Sequence, residues 1–373
     1  MLASRKLTPS KIANFVRCPR RLWNYSQPRK RNPTRYSTET RDALIQLACQ
    51  RYASKNILDL SHYGSKEAEK ITTDSLNTKE SMILIRPYFS TDEILVRPDI
   101  VQVINGSVAN LVIVKASVRL QKYHRLELLA CAWVLQTLRQ DNCEYGALII
   151  DTSYVKTREK IDPESLFKYQ NQTNRIQDRL PEFPMLLDST LALIENDQAP
   201  PIIVGRRCHK PSKCEFIKDC HQGRSTGVLA AQLPGIDGEL KRQWLLEGSG
   251  KLEDLPDDAV LEPYQLRAIE SIQRNEALGS QDLKKKLANL KFPIHHLDFE
   301  AFTTPIPKYM YTRPYESVPF QFSNHIESSS GEITHHEFIH EGNQDPRQEF
   351  TDHLLETLDN AGTICIYSNY END

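Results

Sequence analysis

The chain has 373 residues, enough for two or three domains, and with 39% apolar and 26% charged residues it can bury sizeable cores. Lys plus Arg number 47 against 49 Asp plus Glu, so total charge selects no partner. The distribution is more telling: residues 1–36 carry ten Lys/Arg and no acid, and such basic blocks most often meet phosphate. The longest apolar run, Leu128 to Leu135, has eight residues and is too short for a membrane span. The N-terminus lacks the features of a secretory signal, and eight cysteines are too sparse for a disulfide scaffold, so a cytoplasmic protein is expected.

In chain order, TPSKIANFVRCPRRLWN (8–24) predicts a short helix capped by Thr8 or Ser10 and broken or restarted at Pro19. A Pro-, Arg- and Ser-rich loop over 25–38 precedes an amphipathic helix over 38–53, with Leu44, Ile45, Leu47, Ala48 and Tyr52 as its buried stripe. The segments SMILIRPYF, EILVRPDIVQV and ANLVIVK then predict a three-strand meander. Tyr123 to Leu138 returns to helix and Tyr145 to Asp151 to strand, which together give an α/β core with a mixed sheet. A long helix is expected over 170–196. Residues 197–226 lack apolar periodicity and hold three cysteines, and 227–290 form a charged, helical connector. From Phe292 a second α/β unit starts: strand IHHLDFEAF, strands near 318–326 and 332–340, a helix over 346–359 and strand TICIY. The chain stops just after that strand, so a truncated domain is expected.

Cys208, Cys214 and Cys220 are spaced Cys-x5-Cys-x5-Cys among polar residues and Pro211, which is no helical core stripe. Thiolates so close together are usually held by a soft metal centre. Cys18, followed by Pro in a basic segment, is the natural fourth ligand of an iron–sulfur cluster; zinc with His209 or His221 is the competing reading. Cys49, Cys131 and Cys365 lie in apolar stretches and read as core, and Cys143 as a loop residue. In LDFE, Asp298 and Glu300 are two apart on a strand, so both carboxylates point to one face, an arrangement suited to holding Mg²⁺ or Mn²⁺ for two-metal phosphodiester hydrolysis. Glu371, in IYSNYE at the end of a later strand, is the expected third acid. Tyr309, Tyr311, Arg313 and Tyr315 either line a strand-binding groove or pack a loop.

SKIANFVRCPRRLW, VRPDIV, VIVKAS and HKPSKCEFIKDC resemble the RecB-type PD-(D/E)XK nucleases with an iron–sulfur cluster, a group that includes CRISPR-associated and AddB-like nucleases. PIHHLDFEAF, IPKYMYTRPYESVPFQFSNH, DPRQEF and IYSNYE resemble a domain of unknown function that follows such nucleases in bacteria and is similar to DnaQ-type DEDD exonucleases. The resemblance implies an α/β protein with three parts. Residues 1–225 would be a restriction-endonuclease-like mixed sheet core with a 4Fe-4S cluster on Cys18, Cys208, Cys214 and Cys220, 226–290 a helical connector, and 291–373 an incomplete ribonuclease H-like domain. It further implies Asp99 as the first metal carboxylate and Lys115 as the Lys that orients water. The second acid's position holds Ile113, which cannot ligate a hard cation. Cys131 takes the place of a Gln that faces the site in these nucleases, and Gln46 that of a metal-site His. DEDD enzymes also need a further Asp and a His or Tyr beyond the segment present here. The expectation is a nucleic-acid-processing protein, a metal-dependent nuclease with a degenerate first site; the alternative is a catalytically inactive DNA-binding module or a decayed gene product. The expected partner is single-stranded DNA, gripped by Arg17, Arg20, Arg21, Arg29, Lys30 and Arg31 with Phe15, Trp23, Tyr25 and Tyr36 interleaved.

Overall fold

The computed structural model describes residues 6–27, 36–52, 56–139, 142–202, 206–208, 212–221, 233–235, 252, 255, 260–358 and 361–367. It is mixed α/β, with two compact units: Met1–Ala13, Lys30–Ala192 and Lys291–Asp373 form one, and Asn14–Arg29 with Leu193–Leu290 the other. No helix among the described residues is long and apolar enough to cross a membrane.

The basic N-terminal segment forms α1 (Pro9–Arg17) and α2 (Pro19–Ser26). Pro19 opens α2 at its first position, where the N–H it lacks would have had no partner. The first unit continues through α3 (Tyr36–Cys49), β1 (Ile57–Asp59), α4 (Ser65–Asn77), β2 (Met82–Ile85), β3 (Phe89–Ser90), β4 (Leu95–Val96), β5 (Ile100–Ile104) and β6 (Ser107–Lys115). Then come α5 (Lys122–Leu138), β7 (Glu144–Ile150), α6 (Pro163–Leu166), β8 (Phe167–Asn171), α7 (Thr173–Arg179) and α8 (Phe183–Glu195). Six strands form a sheet in the order β1-β2-β5-β6-β7-β8, in which β6 and β7 run parallel with α5 between them in sequence.

Two departures from the periodicity have one cause. Pro87 splits the first meander segment into β2 and β3, and Pro98 splits the second into β4 and β5, because proline has no N–H to give a ladder. The freed halves pair as the separate hairpin β3–β4. Likewise the helix expected over 170–196 begins as β8 and breaks into α7 and α8 around the 3₁₀ turn Leu180–Glu182, which holds Pro181.

Both faces of the sheet are buried at its central strands, hence the nearly unbroken apolar runs of β6 and β7. On one face Leu44, Ile45, Ala48 and Cys49 of α3 join Ile83, Ile85, Ile100, Val112, Val114, Leu148 and Ile150 in one core. On the other, Val101, Leu111 and Ile113 are buried, as are Leu128, Leu129, Ala132 and Leu135 of α5. Each such side chain contributes about 1.5–3 kcal/mol by leaving water.

The second unit holds α2 and the C-terminal part of α1, and with them α9 (Ile217–His221), α10 (Pro263–Arg274) and α11 (Gln281–Ala288). The first unit also contains β9 (Ile294–Phe302), β10 (Val318–Glu327), β11 (Ile333–Ile339), α12 (Arg347–Thr357) and β12 (Thr363–Ile366). Their sheet runs β11-β10-β9-β12, antiparallel except for β12, which lies parallel to β9. Phe350 of α12 packs edge-on against Phe299 and Phe322, with ring centroids 5.0 and 5.6 Å away, and so covers one face of the sheet.

Gly362 sets the entry to β12. Its φ is +111°, and a Cβ there would lie 2.2 Å from the Pro293 carbonyl oxygen, a backbone atom that cannot swing aside. That same oxygen accepts the Thr363 N–H at 3.1 Å. Gly362→Ala is expected to cost about 1–3 kcal/mol by thermal melting, and an unchanged melting temperature would contradict this reading.

Candidate functional site

Asp99 sits one residue before β5, and its carboxylate is fully buried. Ile100 pairs with Val112, so one further step of the ladder brings Asp99 across from Ile113. Side chains alternate along a strand, so Asp99, Ile113 and Lys115 share one face, as the motif spacing predicts. What surrounds the carboxylate differs from a metal site. Arg41 Nη2 donates to Asp99 Oδ1 at 2.7 Å, the Val114 N–H donates to Oδ2 at 2.8 Å, and Lys115 Nζ lies 3.8 Å from Oδ2. Burial pushes the Asp99 carboxyl up, but Lys115, Arg41 and the Val114 amide together hold it below its ordinary value.

Two members of this cluster escape the sequence reading. Lys115 Nζ is 2.8 Å from Glu127 Oε2, so the α5 side chain that answers Lys115 is Glu127, one turn before the expected Cys131. Cys131 is buried, and its thiol is pushed well up by burial, with Glu127 adding to the effect and Lys115 opposing it. From α3 it is Arg41 that reaches Asp99, whereas Gln46 donates to Asp59 Oδ2 at 2.8 Å. The signal was helical spacing: Arg41 lies three and four residues before the buried Leu44 and Ile45, and Glu127 four before Cys131.

A capping box at the start of α5 fixes that helix's phase, with the Gln121 N–H donating to His124 Nδ1 at 3.2 Å. Burial, and then the nearby Lys115 and Arg125, lower the pKa of His124 to about 4.

A divalent cation does not fit beside Asp99. Both carboxylate oxygens already have donors, two of the neighbours are cationic, and Ile113 offers no oxygen.

The cysteines form a second cluster, wholly within the second unit. Cys18, at the N-cap of α2, lines one cavity with Cys208, Cys214 and Cys220. The Cys214 N–H donates to the Cys208 carbonyl at 2.7 Å, folding the loop back on itself. Burial, and then Cys208, Cys214 and Cys18, push the Cys220 thiol up, with Arg20 opposing. None of the four is in a disulfide. No group of three or more His, Cys, Asp or Glu among the described residues is arranged to hold a metal ion. His209 and the His221 side chain lie outside the described residues.

The three described arginines of the basic segment are tied to this loop. Arg17 donates to the carbonyls of Arg207 (3.0 Å) and Ser212 (2.5 Å), and Arg20 to that of Pro200 (3.0 Å). Arg21 pairs with Glu215 at 3.3 Å. Arg29, Lys30 and Arg31 lie outside the described residues.

On β9, Asp298 and Glu300 are both exposed on the face opposite α12, while Leu297 is buried. His296 shares their face and pairs across the ladder with His325, which in turn pairs with His335. The His325 and His335 rings stack with centroids 4.2 Å apart, and Ser323 Oγ lies 3.1 Å from His335 Nε2. Glu371 lies outside the described residues. The tyrosine loop divides between the two readings offered for it. Tyr309 is buried, Tyr315 packs on the core of the first sheet, and Tyr311 is exposed. The backbone around Tyr311 and Thr312 bonds reciprocally to Lys156, at 2.7 and 3.1 Å.

No curated protein and no solved structure matches the chain. Residues 295–373 match the family model described as a domain of unknown function (DUF2779), which spans the second sheet and carries no activity in its description.

Proposed function

We propose that the chain is a nucleic-acid-processing protein with two nuclease-type modules. The first, around Asp99, does not cut. The second, around Asp298 and Glu300, provides carboxylates for metal-dependent phosphodiester hydrolysis. The observation that carries the reading is the Asp99 carboxylate, whose oxygens are taken by Arg41, Lys115 and a backbone amide where a nuclease would hold a cation. The strand order of the first sheet, with α5 between parallel β6 and β7, is in keeping with a restriction-endonuclease-like core. The order β11-β10-β9-β12, with β12 parallel to β9, is in keeping with a ribonuclease H-like one.

In the second module Asp298 and Glu300 are the proposed holders of Mg²⁺ or Mn²⁺. Such an ion supplies an activated water and stabilises charge on the phosphate. Their exposure on one open sheet face leaves them accessible to a substrate strand. For the first module the proposed role is binding of single-stranded DNA. Arg29, Lys30 and Arg31 are its proposed contacts, since Arg17, Arg20 and Arg21 are already bonded within the protein.

The proposed cofactor is a 4Fe-4S cluster on Cys18, Cys208, Cys214 and Cys220 in a cytoplasmic protein. Four cysteines lining one cavity are the support for this reading. When bound, the cluster supplies a cross-link between the N-terminal helix and the cysteine loop.

The test is Mn²⁺ binding by the full chain, read by isothermal calorimetry at a temperature where every variant stays folded by circular dichroism. Binding is expected to disappear in Asp298→Ala and to persist in Asp99→Asn. The opposite pattern, or binding that ignores Asp298, overturns the assignment.

A further inference from the structure

Two arginines line the cysteine cavity with a donor left over. Arg20 gives Nη1 to the Pro200 carbonyl at 3.0 Å and lies over the Trp23 ring, 5.0 Å from its centroid. Arg21 gives Nη2 to Tyr25 Oη at 3.4 Å and pairs with Glu215 at 3.3 Å. The Nε–H of each is buried and has no hydrogen-bond partner. The outer ends of both guanidinium planes are anchored, so neither Nε can turn away to find an acceptor elsewhere. Buried N–H groups without acceptors are rare because they forfeit water and gain nothing in return. Two of them in a cavity lined by four cysteines mark the place of an acceptor that the polypeptide does not supply.

We infer that Arg20 and Arg21 donate hydrogen bonds from Nε to the sulfurs of the iron–sulfur cluster and thereby raise its reduction potential. The inference rests on the cluster proposed above. With four thiolates an oxidised cubane is a dianion, and uptake of one electron makes it a trianion without breaking a bond. Two fixed cations in a partly buried pocket stabilise the trianion more than the dianion, and hydrogen bonds to sulfur act in the same direction. Arg17 lines the same cavity but has a different task, because its Nε already bonds the Arg207 carbonyl at 3.0 Å. Arg20 and Arg21 are therefore tuning residues, and the cluster is a one-electron centre as well as a cross-link.

The experiment uses the full chain purified without oxygen. Iron and sulfide content are measured first, followed by a reductive titration with dithionite read by electron paramagnetic resonance. Arg20→Gln and Arg21→Gln are each expected to keep their iron and to shift the one-electron equilibrium at least tenfold toward the oxidised form, about 59 mV. Arg20→Lys should recover part of the shift, since the charge returns without the planar donor. Variants with full iron content and an unchanged potential overturn the inference while leaving the cluster intact. For a variant that loses iron, the wild-type protein decides. With isotopically labelled arginine, pulsed resonance should show nitrogen coupled to the reduced cluster, and a missing coupling also overturns the inference. Wild-type protein that holds zinc or no metal refutes the cluster itself, and the inference falls with it.

Discussion

Asp99→Asn is expected to lower the stability of the first unit by about 3 kcal/mol. The carboxylate is fully buried between Arg41, Lys115 and the Val114 amide, so its removal leaves two cations facing a neutral group. Arg41 is 46% exposed and can turn to water, which sets the loss at the low end for a broken buried pair. Lys115→Met should cost more, about 5 kcal/mol, because it leaves Glu127 and Asp99 facing each other without their shared cation. Urea unfolding followed by circular dichroism measures both, and a loss under about 1 kcal/mol in either would contradict this account.

The pH dependence follows from the same groups. Asp99 has a lowered pKa when folded, so its contribution is present above the ordinary carboxylate range and is lost as pH falls through the lowered value. His124 is lowered to about 4 and folds uncharged, so below about pH 6.5 the unfolded chain binds a proton that the native one refuses. Stability should therefore fall in two stages on acidification, first between about pH 6.5 and 4, then below. His124→Gln should erase the first stage only.

Cys18→Ser and Cys214→Ser are expected to bleach the protein, removing broad absorbance near roughly 400 nm together with its iron. Cys365→Ser, outside the cluster, should keep the colour. The loss should also destabilise the second unit. Its two halves are far apart in the chain, 190 residues between Arg17 and Arg207, and a cross-link over so long a loop contributes about 5 kcal/mol on a chain-entropy estimate. Colour that survives Cys18→Ser would remove that residue from the ligand set.

The second sheet was legible almost strand by strand, since β9, β10, β11, α12 and β12 each fall within a few residues of their predicted spans. One face of that sheet is open, so its apolar and polar residues alternate visibly. At the central strands of the first sheet both faces are buried and the alternation disappears, and β1, β8 and α4 went unforeseen. The motif residues Asp99, Ile113 and Lys115 were found through spacing along strands. Arg41 and Glu127 were not, because they arrive from two helices on opposite sides of the sequence motif.

The clasp between Arg17 and the loop at Arg207 and Ser212 also bears on how the protein is made. Cys18 leaves the ribosome long before its three companions. At about 5–20 residues per second the interval is roughly 10–40 s, time enough for the strands encoded in between to pair. Throughout that interval Arg17 and Arg20 lack the carbonyls of Arg207, Ser212 and Pro200, and Arg21 lacks Glu215. For the cluster proposed above, the full set of four thiols exists only after Cys220 has emerged. Its installation would then be a late event that depends on the cell's supply of iron and sulfide as much as on folding of the polypeptide.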